Sequence, residues 1–310
     1  MKRAALLKGY LFIIAASVIY GFMPLGAKLI YADGVDALTL AFLRNALALP
    51  ALWLMTRLRH QSLRAGRRAL GAMCLLGLMG CVLTPLLLFS SYQYLPSGAA
   101  TVFHFIYPSA VVLVSLLLGE KVTKTALVGV LLFSCGISLF FDVRGAVISV
   151  KGAALALSSG VTYAGYVVLL SRFRHKEVSG FALSFYVSLF SAASLGTVCM
   201  VKGGSVFPSS WWTWLFCALF AVVLSVGAVV LFQQGTMLAG GQRAVILSTF
   251  EPVVSIFAGI LFLQESITVR EILGSAIVIS ASVVIAAADL TGREPPSDDN
   301  GLPVTPKNKR

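Results

Sequence analysis

Residues 105–129 read FIYPSAVVLVSLLLGEKVTKTALVG, and residues 249–274 read TFEPVVSIFAGILFLQESITVREILG. Laid side by side, Pro108, Glu120, Thr123 and Gly129 answer Pro252, Glu265, Thr268 and Gly274, with the register slipping by one residue between proline and glutamate. Upstream, Gly9 and Tyr20 answer Gly152 and Tyr163. In both copies an apolar run of helical length ends on a glutamate and turns through a threonine into a second apolar run. The chain therefore reads as a duplication. How the two copies relate depends on how many times each crosses a membrane.

Composition makes lipid the solvent. Of 310 residues, 58% are hydrophobic and only 12% charged, where a soluble domain carries about a quarter charged. Mean hydropathy is +0.91, and a single soluble core stops growing near about 250 to 300 residues. A hydrocarbon layer of about 30 Å takes roughly 20 helical residues per crossing. Apolar stretches bounded by charges, Gly or Pro fall at 9–31, 37–57, 70–90, 97–118, 125–141, 152–171, 180–200, 212–234, 242–263 and 270–288. This predicts an all-α membrane protein of ten transmembrane helices in two five-helix repeats, 9–141 and 152–288. Five is odd, so the second copy enters from the opposite side, giving an inverted repeat of the kind secondary transporters use. Residues 1–8 are expected to be a cytoplasmic N-terminus. Residues 289–310, with Pro295, Pro296, Pro303 and Pro306 among polar residues, are expected to be a disordered cytoplasmic tail. The start MKRAALLKGY resembles the basic region of a signal peptide, but its apolar stretch runs to about Tyr31 with no cleavage site, so it is expected to be retained.

A net charge of +12 would suggest nucleic acid in a soluble protein. Here the basic residues sit between apolar runs, so no nucleic-acid partner is expected. With the N-terminus in the cytoplasm, 18 Lys and Arg fall on the inside and 5 outside (Lys28, Arg144, Lys151, Lys202 and Arg270), while Arg44 lies within a span. That bias places both termini in the cytoplasm of a bacterial-type inner membrane, and a missed or invented helix would scramble it. The five cysteines lie within or beside apolar runs without metal-site spacing, and read as buried hydrophobes. No nucleotide loop, nucleophile elbow or zinc motif is present, so neither enzyme, metal nor cofactor is expected.

The duplicated order resembles the EamA-like branch of the drug/metabolite transporter superfamily. The resemblance covers about residues 9–288. It rests on the 5+5 plan, the paired prolines and the Gly-Glu and Gln-Glu ends of spans four and nine, YGFMP (20–24) in span one and FLRN (42–45) in span two. It implies an exporter of amino acids or other metabolites, with a cavity formed mainly by spans 1, 3, 4, 6, 8 and 9. The sequence departs from a symmetric plan in two places: Tyr107-Pro108 stands where span nine has Glu251-Pro252, and span six has no counterpart of Pro24.

Candidate site residues follow from charges and breaks inside the spans. Arg44 is the sole Arg well inside one, where a charge costs about 2.5 to 3.5 kcal/mol and needs a partner or water. It either binds a carboxylate substrate or snorkels to the surface. Glu251 precedes Pro252, which leaves the Ser248 carbonyl without its helical donor. The acid either fills a local hydrogen bond or takes a proton or a substrate ammonium. Pro108 likewise frees the carbonyl of His104, a candidate cavity residue. Pro24, Pro108 and Pro252 are candidate gating breaks. Ser97, Thr101, His104 and Pro108 in span four, and Ala244, Ser248, Pro252, Ser255 and Gly259 in span nine, recur at helical steps. These stripes read as helix packing for the most part. Ser184, Ser188 and Ser191 are assigned wholly to packing. Tyr20, Tyr92, Tyr107, Tyr163 and Tyr166, with Phe103 and Trp214, are candidates for an amphipathic cavity wall. Gln233 and Gln234 are either interfacial or cavity-lining, and Glu120 and Glu265 are expected to make structural contacts in their turns.

These readings converge on an alternating-access carrier exporting a small amphipathic metabolite, an amino acid first among them. Its partners would be the lipid bilayer, the solute and a proton as possible coupling ion. The oligomeric state is left open. A nucleotide-sugar or organophosphate exchanger of the same fold would want several buried cations where only Arg44 is clearly placed. A membrane-embedded enzyme or receptor would leave the inverted repeat without a purpose.

Overall fold

The computed structural model describes residues 2–117, 124–139, 149–171, 173, 178–203, 206–239 and 247–292. Glu120, Thr123, Arg144, Arg243 and residues from 293 onward lie outside that set. The described residues form ten helices. Helix α1 runs Lys2–Gly21 and continues as Met23–Tyr31; α2 runs Ala37–Ala46 and continues as Leu49–Leu58. Helix α3 is Arg67–Ser91 and α4 comprises Ser97–His104 and Tyr107–Leu117. Then follow α5 (Lys124–Ser138), α6 (Val150–Ser171) and α7 (Gly180–Lys202). Helix α8 starts as Trp211–Val222 and ends as Val229–Ala239, α9 is Phe250–Leu263 and α10 is Val269–Gly292. Seven of the described helices, α1 to α4 and α6 to α8, are long and apolar enough to cross a membrane.

Local chemistry sets the boundaries. The Asp36 carboxylate accepts from the Leu38 and Thr39 amides at 2.8 and 2.9 Å and caps α2, while Ser179 and Ser210 cap α7 and α8. Thr268 and Glu271 form a reciprocal capping box on α10, with Thr268 N donating to Glu271 at 2.7 Å and Glu271 N to the Thr268 hydroxyl at 3.2 Å. The turn contact of Thr268 is thus made by Glu271, while Glu265 contacts Lys28 and Ser97. Helix α7 ends on Gly203 at φ +63, and α9 ends on Gln264 in the left-handed region at φ +53. Two ends differ from expectation. Helix α1 is already helical at Lys2, since nothing between Lys2 and Gly9 breaks it and the Lys chains can snorkel. Helix α10 runs to Gly292, past the expected end at 288, because Ala286 to Leu290 are sound helix formers and no breaker stands before Gly292.

Four prolines each follow a break in their helix: Pro24 after the turn at Phe22, Pro50 after the turn at Leu47 and Ala48, Pro108 after the turn at Phe105 and Ile106, and Pro252 after the turn at Thr249. A proline cannot donate to the carbonyl four residues back, so the backbone turns one to three residues earlier. Two further irregularities are π-turns, the first just ahead of Pro85 and the second with no proline in its helix. Helix α3 widens into a π-turn at Leu78–Leu83, and α8 does so at Val223–Ala228, the matching stretch of the second repeat.

The halves interlock about a pseudo-twofold axis. Helices α5 and α10 make the most extensive contact, and α2 with α7 and α4 with α9 also meet their own counterparts. Off the axis, α1 packs on α8 and α9 of the other half just as α6 packs on α3 and α4. Each half thus lends its first helix to the other. Large apolar side chains such as Leu117, Leu131 and Met200 point outward, as expected where the surrounding solvent is hydrocarbon.

Candidate functional site

Where these helices cross, a cavity of about 80 Å³ lies between the halves. That is room for a few waters or one small solute. Helices α1, α3, α4, α6, α8 and α9 line it, joined by Arg44 of α2 and by Ser184, Val187 and Ser188 of α7.

Both charged candidates reach this cavity. Arg44 is only 7% exposed, buried rather than snorkelled. Its guanidinium carbon stands 6.0 Å from the centre of the Phe89 ring, and its Nε has no hydrogen-bond partner. Glu251 also lines the wall, on the first turn of α9. Among the described residues the one salt bridge is Lys28 with Glu265, so Arg44 and Glu251 are not paired with each other. Tyr20 stands within electrostatic range of both. A buried charge without a counter-charge is costly, and water or a ligand in the cavity is what can offset it.

The wall between these charges is aromatic. Tyr107 and Tyr163 meet edge to face with ring centres 5.0 Å apart, His104 lies 5.4 Å from Tyr163, and Tyr166 stacks on Tyr163 at 5.7 Å. Tyr107 also shares a hydrogen bond with Ser248 of α9, linking the two broken helices. His104 Nδ1 is 2.8 Å from the Ser159 hydroxyl, and that hydroxyl donates to the Ala156 carbonyl at 2.6 Å. A hydroxyl has one proton, so toward His104 it accepts. Nδ1 therefore carries the imidazole hydrogen, and Nε2 of the neutral ring is left as an acceptor. The carbonyl of His104, freed by Pro108, lies so close to Gly160 of α6 that any Cβ there would collide with it.

Of the eight residues singled out as substrate-binding or cavity candidates, Tyr20, Arg44, His104, Tyr107, Tyr163, Ser248 and Glu251 line the cavity. Tyr92 does not: it is buried in the neighbouring core with its ring centre 6.1 Å from that of Phe89. Phe103 is likewise core, and Trp214 donates to the Pro208 carbonyl near a loop. Pro24, Pro108 and Pro252 mark breaks beside the wall without lining it. Ser184 and Ser188, read as packing alone, line the cavity, and so do Gly80, Cys81 and Ser225 of the two π-turns. A small residue in a helix looks the same in sequence whether it faces a neighbouring helix or a void, and the π-turn of α8 has no proline to announce it. Gln234 lines a second cavity of about 350 Å³ with Lys8, Phe12, Gln61, Phe181 and Val230. Phe181 is one turn along α7 from Ser184, and Val230 adjoins Val229, so this space lies beyond the central cavity at the end where α1 begins.

Fold and site together define a multi-pass membrane protein of the transporter class whose cavity lies between duplicated halves. The chain belongs to the EamA-like transporter family, which it matches twice, over residues 7–141 and 150–287. It is 26% identical over 283 residues to the uncharacterized transporter YcbK of Bacillus subtilis, covering 86% of this chain and 88% of that one. It is 30% identical over 184 residues to an uncharacterized transporter of Archaeoglobus fulgidus, covering 59% of this chain and 64% of the relative. A solved crystal structure superposes with a TM-score of 0.65 at 19% identity, covering 94% of this chain and all of that one, a likeness of fold.

Proposed function

We propose that the protein is a secondary transporter that exports small amphipathic metabolites, amino acids first among them, by alternating access. The observation that carries this reading is a small cavity between the halves lined by a buried guanidinium, Arg44, and a half-buried carboxyl, Glu251, that are not paired with each other. A zwitterion satisfies both: its carboxylate meets Arg44 and its ammonium meets Glu251 and the acceptor Nε2 of His104, with the tyrosine rings covering the apolar part. Charge-assisted hydrogen bonds of this kind are worth about 1.5 to 3 kcal/mol each, enough to select a dipolar solute over a neutral one.

Energy comes from the solute gradient, or from a proton carried on Glu251. The basic bias of the loops supports a reading with both termini in the cytoplasm of an inner membrane. An organophosphate or nucleotide-sugar exchanger fits less well, because a phosphoryl group calls for more cationic donors than the single Arg the cavity offers among the described residues.

The test is flux. Vesicles containing the purified protein, loaded with a mixture of labelled amino acids, should release some of them saturably and without ATP, and excess unlabelled solute should compete. Cells overproducing the protein should resist toxic amino-acid analogues. If metabolite profiles of overproducing and deletion strains agreed on both sides of the membrane, the transport reading would be withdrawn.

A further inference from the structure

One end of the bundle is tied shut at a point that the site itself does not explain. Lys28, near the end of α1, places Nζ 2.6 Å from Oε1 of Glu265, just past the end of α9. The same carboxylate accepts from the amide of Ser97 at 2.9 Å, through Oε2, and from the Ser97 hydroxyl at 2.9 Å. Ser97 opens α4, so the negative charge sits at the positive pole of that helix. Three helices from both repeats thus converge on one side chain, which is largely shielded from solvent at 16% exposure.

The carboxylate gains this position because Gly259 has no Cβ; one built there would overlap Oε2 of Glu265. Below the latch, α4 and α9 are joined by the Thr101 and Ser255 hydroxyls at 3.0 Å and by Ser255 donating to the Ser97 carbonyl at 3.1 Å. One turn farther along α9 stands Glu251 in the cavity wall. At the same end the loop after α1 is tied to the loop before α8: Asp33 accepts from Ser209, and Asp36 from the Val206 amide at 3.0 Å. At the opposite end the 350 Å³ space beside Gln61 and Gln234 lies next to the central cavity.

We propose that Glu265, clamped by Lys28 and the amino end of α4, is the latch that holds the cavity closed on the side where α1 ends, and that it must release for the cavity to open there. The proposal rests on the alternating-access reading and assigns one residue to the closing step. When Glu265 withdraws, Lys28 and the Ser97 amide both lose a charge-assisted partner, so α1, α4 and α9 part as a group.

Cys81 lines the cavity and serves as reporter. With Cys74, Cys135, Cys199 and Cys217 replaced by Ser, its reaction with a membrane-impermeant charged maleimide is timed separately from each face of vesicles. In a parallel protein Ser62→Cys marks the face opposite Lys28. Cys81 should react slowly from the Lys28 face. Glu265→Ala should speed that reaction about tenfold or more and slow the reaction from the other face. Lys28→Met and Glu265→Gln, which each leave Ser97 a partner, should fall between.

Glu271→Gln, at the same end but outside the latch, should leave the ratio unchanged. Should Glu265→Ala not fold, the two milder variants carry the test. Unaltered labelling from the Lys28 face in every folded latch variant would overturn the latch. If flux and labelling from the opposite face persisted alongside that result, the carrier reading would stand. Cys81 unreactive from both faces, together with absent flux, would overturn both.

Discussion

Helices α4 and α9 descend from one motif and meet on the pseudo-twofold axis, yet they bring different chemistry to the cavity. Both break just ahead of a proline, both carry small hydroxyl residues where they cross, and both have a side chain on the wall immediately before the proline. In α4 that side chain is the tyrosine Tyr107, and in α9 it is the acid Glu251. One turn earlier stand His104 and Ser248. The same split recurs on α2 and α7, where Arg44 on one side faces a stretch of Val187 and Ser188 on the other. Duplication has kept the breaks of α4 and α9 and the π-turns of α3 and α8, which favours two conformations of similar energy, while the breaks of α1 and α2 have no counterpart in the continuous α6 and α7. The side chains have diverged, so a solute lying in the cavity has a distinct anionic and cationic end. Matching breaks where α4 and α9 cross, with asymmetric charge, are what a carrier needs to offer one site to both faces of a membrane while reading one orientation of its solute.

Removing the asymmetry on α2 should have the largest effect. Arg44→Met keeps bulk and apolar stem but takes away the single described cation of the wall, and flux should fall about a hundredfold, or roughly 2.7 kcal/mol. Expression and thermal stability should be kept or improved, because an unpaired buried charge is removed. A folded Arg44→Met protein with undiminished flux would place the carboxylate elsewhere.

Next in size is α9. Glu251→Gln retains shape and hydrogen bonding while abolishing titration, so flux should fall about tenfold, roughly 1.4 kcal/mol, or lose its pH dependence while folding survives. Flux measured against pH and normalised to folded protein settles it: an unchanged level and profile in the Gln variant would remove Glu251 from the functional wall. Tyr107→Phe on α4 should be milder, since it removes only one hydroxyl contact to Ser248.

A third test attacks the shared backbone. Gly160→Ala puts a Cβ against the His104 carbonyl that Pro108 leaves free, so α6 must shift from α4. Overpacking of this kind costs about 1 to 3 kcal/mol, read as a lower melting temperature in detergent. An equally stable variant would show that the crossing can relax at no cost.

The smallest effect concerns the loops that join the halves outside the membrane. Hydrogen bonds from the Ser209 hydroxyl and amide hold the Asp33 carboxyl below its usual range. For Asp36 burial pushes upward, but the amides of Val206, Thr39 and Leu38 and the Thr39 hydroxyl outweigh it and leave the group lowered. A carboxyl depressed in the folded state stabilises the fold above its unfolded value of about 3.9, and that contribution is lost as pH falls through the lower folded value. The loop contact should therefore be indifferent to pH between 7 and about 5 and fail only below about 3.9. The fluorescence of Trp214, stacked on Phe207 beside this loop, can follow it. Asp36→Ala should cost about 1 kcal/mol through loss of the α2 cap. Loosening of the loop already at pH 5 would contradict the depressed values.

Most of the architecture was legible before any coordinate. Lipid as solvent, the ten spans and the duplication follow from the amounts and periodicity of apolar residues, because backbone groups in hydrocarbon must be satisfied within a helix. The prolines announced three breaks, since the missing donor acts on its own helix. Arg44 and Glu251 stood out because a charge in a span is expensive wherever the helix packs.

What the sequence by itself determined, then, was the solvent, the segments and their repetition, all consequences of local composition acting on one helix at a time. Only the tertiary structure decided which faces converge. It moved Ser184 and Ser188 from packing to the cavity wall, took Tyr92 out of it, and showed matching π-turns at Gly80, Cys81 and Ser225. It also carried Glu265 from its own turn to Lys28 and Ser97, 237 and 168 residues away in the chain. The physical reason is that a cavity and an ion pair depend on how helices are rotated and how closely they approach. Those are settled by packing among helices distant in sequence, and the same small, aromatic and charged residues fit several such arrangements until the whole bundle selects one.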